Sequence, residues 1–224
     1  MPAILFGSLS TIADTSELQR ESFNQAFEAS GLDWRWDRDE YLAMLQGSGG
    51  RERISTYAAS LGQTVDAEAV HHKKSECFQQ LLADGDVRAR PGVLDTIQTA
   101  KRNGVKVAWV TTTTAENISA LLAALQPAIQ RSDFDLILDS STVDRPKPDS
   151  AAYDFALASL HEERDRCIAI EDNIDGVQAA QAAGVMCVAF PNENTADHNF
   201  GAAEARVAEL KFQDLNELIP LATI

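Results

Sequence analysis

Short apolar runs alternate with amphipathic segments along most of the chain. The near-continuous apolar runs occupy residues 3–6, 105–110, 136–138, 167–170 and 186–190. Runs of this kind are typical of strands that are buried on both faces of a parallel sheet. The segments with helical spacing of apolar positions are residues 93–102, 116–125, 150–160 and 174–183. This alternation predicts an α/β fold, a doubly wound parallel sheet with right-handed crossovers.

The segment from about residue 16 to residue 88 breaks this alternation, because its patterns are helical only. Helical runs within it cover residues 38–45, 51–61 and 67–82. Pro91 and Gly92 mark the return to the alternating pattern. We therefore expect a Rossmann-like core of residues 1–14 and 89–224. An all-helical cap domain of residues 15–88 is inserted after the first strand. Since ligands in open α/β sheets bind at the carboxyl ends of the strands, the cap would cover that site as a lid.

The charge balance narrows the classes of partner. Lys and Arg number 19 against 34 for Asp and Glu, which gives a formal net charge of −15. Nucleic acids and anionic membranes both require a basic surface, so we expect neither as a partner. The N-terminal residues show no basic segment followed by a long apolar run, and no stretch reaches the apolar length of a transmembrane helix. The cysteines form no CxxC pair, and these features together predict a cytoplasmic protein with reduced thiols.

Four short motifs follow the predicted strands in order. The first strand ends in Phe6-Gly7-Ser8-Leu9-Ser10-Thr11-Ile12. The second ends in Thr111, and Lys147-Pro148 precedes a predicted helix. The acidic pair Glu171-Asp172 comes directly after the fourth predicted strand.

The order of these motifs resembles the haloacid dehalogenase superfamily, in the branch with a helical cap that includes β-phosphoglucomutase and phosphoglycolate phosphatase. Members of this family open with a strand that ends in Phe-Asp-x-Asp-Gly-Thr-Leu. The resemblance extends over nearly the whole chain and includes the cap segment Gly49-Gly50-Arg51-Glu52-Arg53-Ile54. It implies a phosphohydrolase in which the first aspartate attacks phosphorus and the second transfers protons. Carboxylates and a backbone carbonyl bind Mg²⁺ in such a site.

This chain departs from the family pattern at both catalytic aspartates. Gly7 stands at the nucleophile position and Leu9 at the acid/base position. Glycine has no side chain to attack with, and leucine cannot transfer a proton. Ser8 and Ser10 are the nearest hydroxyls, but Ser8 in an extended segment would point away from positions 7 and 9. We therefore predict no catalytic residue at the usual positions.

The resemblance also implies binding roles for the residues that remain. Ser8, Thr111 and Lys147 would bind phosphate. Arg145 is an alternative to Lys147, because Arg145-Pro146 matches the same motif. Gly50 and Arg51 would hold an anion at the start of a cap helix that faces the cleft. The alternative is a surface turn with an exposed arginine.

The acidic pair would form a weak, degenerate metal site. The negative charges of Glu171 and Asp172 face the positive charge of Lys147, so the remaining site carries little charge for a divalent cation to neutralise. We therefore expect either no cofactor or weakly bound Mg²⁺.

The sequence leaves three functions open. The prediction is a catalytically silent homologue that binds a phosphorylated small molecule or a protein partner of unknown identity. The alternative is an active phosphatase or phosphomutase-like hydrolase that uses a relocated nucleophile. A third is a drifting paralogue without a ligand. If only the chemistry has been lost, aspartates at positions 7 and 9 together would rebuild the site.

Overall fold

The computed structural model describes residues 2–46 and 49–219. Its strands are β1 (Ala3–Phe6), β2 (Lys106–Val110), β3 (Leu136–Leu138), β4 (Cys167–Glu171), β5 (Met186–Ala189) and β6 (Ala205–Arg206). In the described chain they form one parallel sheet in the order β3-β2-β1-β4-β5-β6. The first five strands lie on the five apolar runs. The short edge strand β6 has no comparable apolar run and was not predicted.

The helices surround this sheet and fill the inserted segment. They are α1 (Leu9–Ile12), α2 (Ser16–Ala29), α3 (Arg38–Ala43), α4 (Gly50–Ser60), α5 (Ala67–Asp84), α6 (Val93–Arg102), α7 (Ala115–Leu125), α8 (Ala151–Leu160), α9 (Ile174–Ala182) and α10 (Phe212–Leu218). Each predicted helix is present with ends shifted by at most two residues. The short helices α1 and α10 were not predicted.

Both faces of the sheet are buried. Because side chains alternate along a strand, Ile4 and Phe6 of β1 pack on one face, against helices α5, α6 and α7. Ala3 and Leu5 pack on the other face, against α8 and α9. All four residues are fully buried. The predicted doubly wound fold is confirmed.

The inserted segment has a hydrophobic core of its own. Its centre is Trp36, which is fully buried and lies 4.6 Å from the Phe27 ring and 4.9 Å from the Phe23 ring, measured between centroids. The Asn24 side chain fixes the Trp36 backbone by accepting from its N–H at 2.8 Å and donating to its carbonyl oxygen at 3.0 Å. Between residues 16 and 88 the described chain contains helices and no strand. The inserted helical cap is confirmed, and its limits at residues 14 and 89 stay predictions.

The two connections between cap and core lie side by side. The backbone N–H of Arg90 donates to the carbonyl oxygen of Ile12 at 2.9 Å. The Arg90 guanidinium also donates to the carbonyl oxygens of Ser10 and Phe190. These bonds tie the cap's return segment to the turn after β1. The described residues contain no helix that is both long and apolar enough to cross a membrane, and all three cysteines are free.

A buried lysine lies where α2 packs along α5. Lys74 is only 6% exposed, and its ammonium nitrogen lies 5.0 Å from the ring centroids of both Phe23 and Phe78. It donates a hydrogen bond to the side-chain oxygen of Gln19. Burial lowers the pKa of Lys74 to about 7, and the positive charge of Arg53 acts in the same direction.

This burial predicts a pH-dependent stability. A lysine in an unfolded chain has a pKa of about 10.4. Between about pH 7 and pH 10 the folded state therefore binds fewer protons than the unfolded state, and the free energy of unfolding rises with pH by up to about 1.4 kcal/mol per unit. Urea denaturation across this range should show that rise in the wild type and its loss in Lys74→Met. Lys73→Met, at an exposed neighbour that pairs with Glu76, should keep it. Parallel pH profiles for all three proteins would contradict the prediction.

Candidate functional site

The turn after β1 carries no carboxylate into the site. The backbone N–H of Gly7 donates to the carbonyl oxygen of Ile170 at 2.9 Å, which continues the pairing of β1 with β4. The Ser8 hydroxyl caps α1 by accepting from the N–H of Ser10 at 3.0 Å. This short helix turns Leu9 into the hydrophobic core, where it is 4% exposed. Of the two positions where the family has aspartates, Gly7 thus has no side chain and Leu9 has its side chain in the core.

Lys147 and Glu171 meet in a buried ion pair at the carboxyl ends of β2 and β4. Lys147 Nζ lies 2.5 Å from Glu171 Oε1 and donates to the Val110 carbonyl oxygen at 2.7 Å. The Tyr153 hydroxyl donates to the same carboxylate oxygen at 2.5 Å. Burial raises the pKa of Glu171, while the Lys147 ammonium opposes this shift. Burial and the charge of Glu171 raise the pKa of Tyr153, which keeps its hydroxyl a donor.

The Glu171 carboxylate lies between two glycines. A Cβ atom at Gly7 would be 2.1 Å from Glu171 Cδ, and one at Gly176 would be 2.2 Å from the same atom. Both distances are far below van der Waals contact. The carboxylate thus occupies space that any larger residue at position 7 would need.

Asp172 is held by neutral donors. It is 3% exposed, and its Oδ1 accepts from the Ser8 hydroxyl at 2.6 Å and from the Asn173 amide at 2.8 Å. Its Oδ2 accepts from the Asn192 amide at 2.6 Å. The Thr195 hydroxyl donates to its backbone carbonyl oxygen at 2.6 Å. Ser8 is therefore turned towards Asp172, and both oxygens of this carboxylate already have partners.

These contacts do not suit a magnesium ion. Mg²⁺ requires oxygen ligands in near-octahedral geometry, normally including carboxylates open to the metal. Glu171 is engaged by Lys147 and Tyr153, and Asp172 by a hydroxyl and two amides. No group of three or more His, Cys, Asp or Glu side chains in the described chain could hold a metal ion. We therefore derive no chemistry through a metal in this site.

A cleft of about 180 Å³ separates the cap from this end of the sheet. Among the cap residues that line it, Arg53 carries the cationic side chain, and Tyr41 and Gln19 lie beside it. Arg53 donates through Nε to the Met44 carbonyl oxygen at 3.1 Å, and its guanidinium carbon lies 5.6 Å from the centroid of the Tyr41 ring. The core residues that line the cleft are Ser10, Asp172, Asn173, Ile174, Asp175, Asn192, Asn194 and Thr195.

The predicted cap residues Gly50 and Arg51 are not among the described residues that line the cleft. Gly50 begins α4, and the space beside its Cα is filled by His71. The Arg51 guanidinium lies on the exposed side and pairs with Glu68 at 2.7 Å. The anion-binding role of these two residues stays a prediction, and Arg53 is the arginine that faces the core.

The predicted phosphate-binding residues do not lie together, because Ser8 contacts Asp172 whereas Lys147 contacts Glu171. Lys147 lies beside Glu171, whereas the alternative Arg145 is exposed and pairs with Asp149 at 2.9 Å. Thr111 is buried at the end of β2, where its hydroxyl accepts from the Thr113 N–H at 3.3 Å. Lys147 and Thr111 thus lie in the sheet end behind the cleft. Neither is among the described residues that line it.

Sequence reasoning missed the polar loop that follows β5. Asn192, Asn194 and Thr195 are buried and line the cleft. The same loop contacts the cap, because Arg38 of α3 pairs with Glu193 at 3.0 Å and donates to the Asn194 side-chain oxygen at 3.3 Å. The signal was a run of polar residues directly after a buried strand, which is where ligands bind in such sheets.

Comparisons with known proteins agree with this architecture. The family model described as haloacid dehalogenase-like hydrolase matches residues 5–190. Protein CbbY of Cereibacter sphaeroides is 38% identical over 205 residues, which cover 90% of this chain and 89% of that protein. A crystal structure of a CbbY mutant from Rhodobacter sphaeroides in complex with xylulose-(1,5)bisphosphate is 36% identical and has a TM-score of 0.87. The match covers 100% of this chain and 100% of that chain.

A more distant structure shows the shared fold alone. The β-phosphoglucomutase of Clostridium difficile has a TM-score of 0.79 at 20% identity, with 97% of this chain and 96% of that chain covered. The predicted resemblance is confirmed by the family match over most of the length and by the identity to CbbY. The chain belongs to the haloacid dehalogenase-like hydrolase family.

Proposed function

We propose that this chain binds a phosphorylated sugar in the cleft between cap and core. The observation that carries the proposal is the opposition of Arg53 on the cap to hydroxyl, amide and carboxylate groups on the core. A guanidinium binds a phosphate strongly, because charge-assisted hydrogen bonds are stronger than neutral ones. Amide and carboxylate groups match the hydroxyls of a sugar. The CbbY structure with a bound sugar bisphosphate supports the same class of ligand.

The chain as it stands should not turn over this ligand by an aspartyl-phosphate route. Gly7 provides no attacking atom, and Leu9 is packed in the core. Loss of a nucleophile that acts in a concerted unit costs on the order of 10⁶ in rate, or about 8 kcal/mol of transition-state stabilisation. The proposed role is therefore binding without turnover, which uses the family's cleft and not its chemistry.

One contact favours a second function, an active phosphatase with a relocated nucleophile. The Ser8 hydroxyl lies 2.6 Å from Oδ1 of Asp172, a residue that lines the cleft. In such a reaction Asp172 takes the hydroxyl proton, Ser8 Oγ bonds to phosphorus, and the bond to the leaving oxygen breaks. Asp172 then returns the proton to that oxygen, which leaves a phosphoserine at position 8. Water next attacks the phosphorus, the bond to Ser8 Oγ breaks, and Asp172 passes the proton of the water to Oγ, so that inorganic phosphate leaves and the hydroxyl is restored. Ser8 Oγ also caps α1, and Ser8 is not among the described residues that line the cleft. We therefore place this function second.

Turnover separates the two functions. We expect the wild type and Ser8→Ala to hydrolyse an aryl phosphate and xylulose 1,5-bisphosphate at the same background rate, with Mg²⁺ present. A relocated nucleophile would instead give the wild type an ordinary rate of at least about 1 s⁻¹. That rate would be lost in Ser8→Ala, whereas Ser10→Ala, which removes a neighbouring hydroxyl, would retain it. Phosphate release measured continuously distinguishes these results.

Metal binding is expected to be weak. Since both oxygens of Asp172 accept hydrogen bonds and Glu171 is paired with Lys147, Mg²⁺ would have to displace several contacts to bind. Titration calorimetry should give a dissociation constant in the millimolar range or no measurable heat. A micromolar constant would contradict our description of the site.

The cap arginines provide a matched pair for the binding function. Arg53→Ala should weaken the binding of xylulose 5-phosphate about tenfold or more, because a charge-assisted hydrogen bond contributes roughly 1.5–3 kcal/mol. Arg51→Ala removes the same charge two residues away, from a side chain that pairs with Glu68 on the exposed side, and should change the affinity less than twofold. Equal losses in the two variants would show a general charge effect and would overturn the assignment of Arg53.

A further inference from the structure

Lys147 is a buried cation whose counter-ion belongs to the protein. It is 8% exposed, and the Glu171 carboxylate that faces it is fully buried. An unpaired charge at this depth would be strongly destabilising. Glu171 also accepts a hydrogen bond from the Tyr153 hydroxyl, and Lys147 donates one to the Val110 carbonyl oxygen. An external anion at the ammonium would compete with the Glu171 carboxylate.

The backbone around this carboxylate is shaped for it. Gly7 and Gly176 flank the Glu171 Cδ atom, and neither glycine has a positive φ. Alanine could therefore adopt the backbone conformation at either position. Gly176 lies in α9, where alanine would normally favour the helix over glycine by about 1 kcal/mol. Glycine at both positions leaves the space that the carboxylate fills.

We propose that Glu171 is an internal anion that occupies the phosphoryl position at Lys147, seated between Gly7 and Gly176. The cleft then selects a sugar with one anionic group, held by Arg53, over a sugar phosphorylated at both ends. At the core end of the cleft a ligand meets Asp172 and Asp175, which accept hydrogen bonds from hydroxyls and repel a phosphoryl group. The selectivity rests on the proposed function. The position of the Glu171 carboxylate between Gly7 and Gly176, which we call its seat, does not.

This arrangement bears on one expectation from the sequence. Aspartates at positions 7 and 9 are expected to rebuild the catalytic site together. The side chain of an aspartate at position 7 would start where the Glu171 carboxylate lies. On this proposal Gly7→Asp with Leu9→Asp therefore restores the site only if the Glu171 side chain moves away.

The seat is tested without any ligand. Gly176→Ala and Gly7→Ala should each lower the thermal midpoint of the wild type by about 5 °C. In a Glu171→Ala background Gly176→Ala should raise the midpoint instead, because only the helix preference remains. If either glycine substitution has the same effect in both backgrounds, the seat is wrong. Should Glu171→Ala fail to fold, Glu171→Asp keeps the counter-ion and withdraws the carboxylate by one methylene. In that background the fall in thermal midpoint caused by Gly7→Ala or by Gly176→Ala should be at most half of the fall in the wild type. An undiminished fall overturns the proposal.

The internal anion is tested with inorganic phosphate alone. Titration calorimetry should show at least tenfold tighter phosphate binding by Glu171→Ala, or by Glu171→Asp, than by the wild type. Asp154→Asn removes an equal charge from an exposed residue of α8 that does not line the cleft, and it leaves the seat filled, so it should change the affinity less than threefold. An unchanged affinity at position 171, or an equal gain in Asp154→Asn, overturns the proposal.

Selectivity is tested with two sugars. The wild type should bind xylulose 5-phosphate at least as tightly as xylulose 1,5-bisphosphate, and the Glu171 variant should shift the ratio at least tenfold towards the bisphosphate. A wild-type preference of tenfold or more for the bisphosphate overturns the proposed selectivity. If the wild type binds neither sugar, the proposed function and the selectivity that rests on it both fail. The thermal and inorganic phosphate experiments then decide the role of Glu171 separately.

Discussion

The ion pair between Lys147 and Glu171 constrains the whole carboxyl end of the sheet. A buried ion pair is tolerated only when its geometry and its additional hydrogen bonds replace the lost hydration. Here Lys147 donates to the Val110 carbonyl oxygen at the end of β2 and to Glu171 at the end of β4. The Tyr153 hydroxyl of α8 donates to Glu171. The Glu171 carboxylate supplies the anion that faces Lys147. In this placement it fills the space beside Gly7, which has no side chain.

The groups proposed for ligand recognition lie on different elements from the strand end at which the family has its two aspartates. Arg53 belongs to the cap, and the polar loop with Asn192 and Thr195 follows β5. Both elements also contact the segment that follows β1, because Arg90 donates to the Ser10 carbonyl oxygen and Asp172 accepts from both Ser8 and Asn192. The contact of Arg38 with Glu193 holds cap and core together at the rim of the cleft. The proposed ligand would therefore contact the cap and the loop after β5, whereas Gly7 and Leu9 supply no group to attack it.

This separation shows why family membership does not decide activity. The chain is 38% identical to a CbbY protein over most of its length, yet two substitutions remove both family aspartates. The fold and cap follow from many weak contacts, which tolerate change, whereas the reaction depends on a few atoms at one strand end. The changed positions are therefore where the function of this chain has to be sought.

The sequence by itself determined the sheet, the helical cap and the absence of both aspartates. Hydrophobic periodicity is a local property, so β1 to β5 and the long helices could be predicted from it. It could not show that the Glu171 side chain fills the space beside Gly7, or that Arg53 and not Arg51 faces the core. It also gave no role to Asn192 or to its contact with Asp172. Tertiary structure alone decided these points, because they depend on which rotamers the packing of distant segments leaves open.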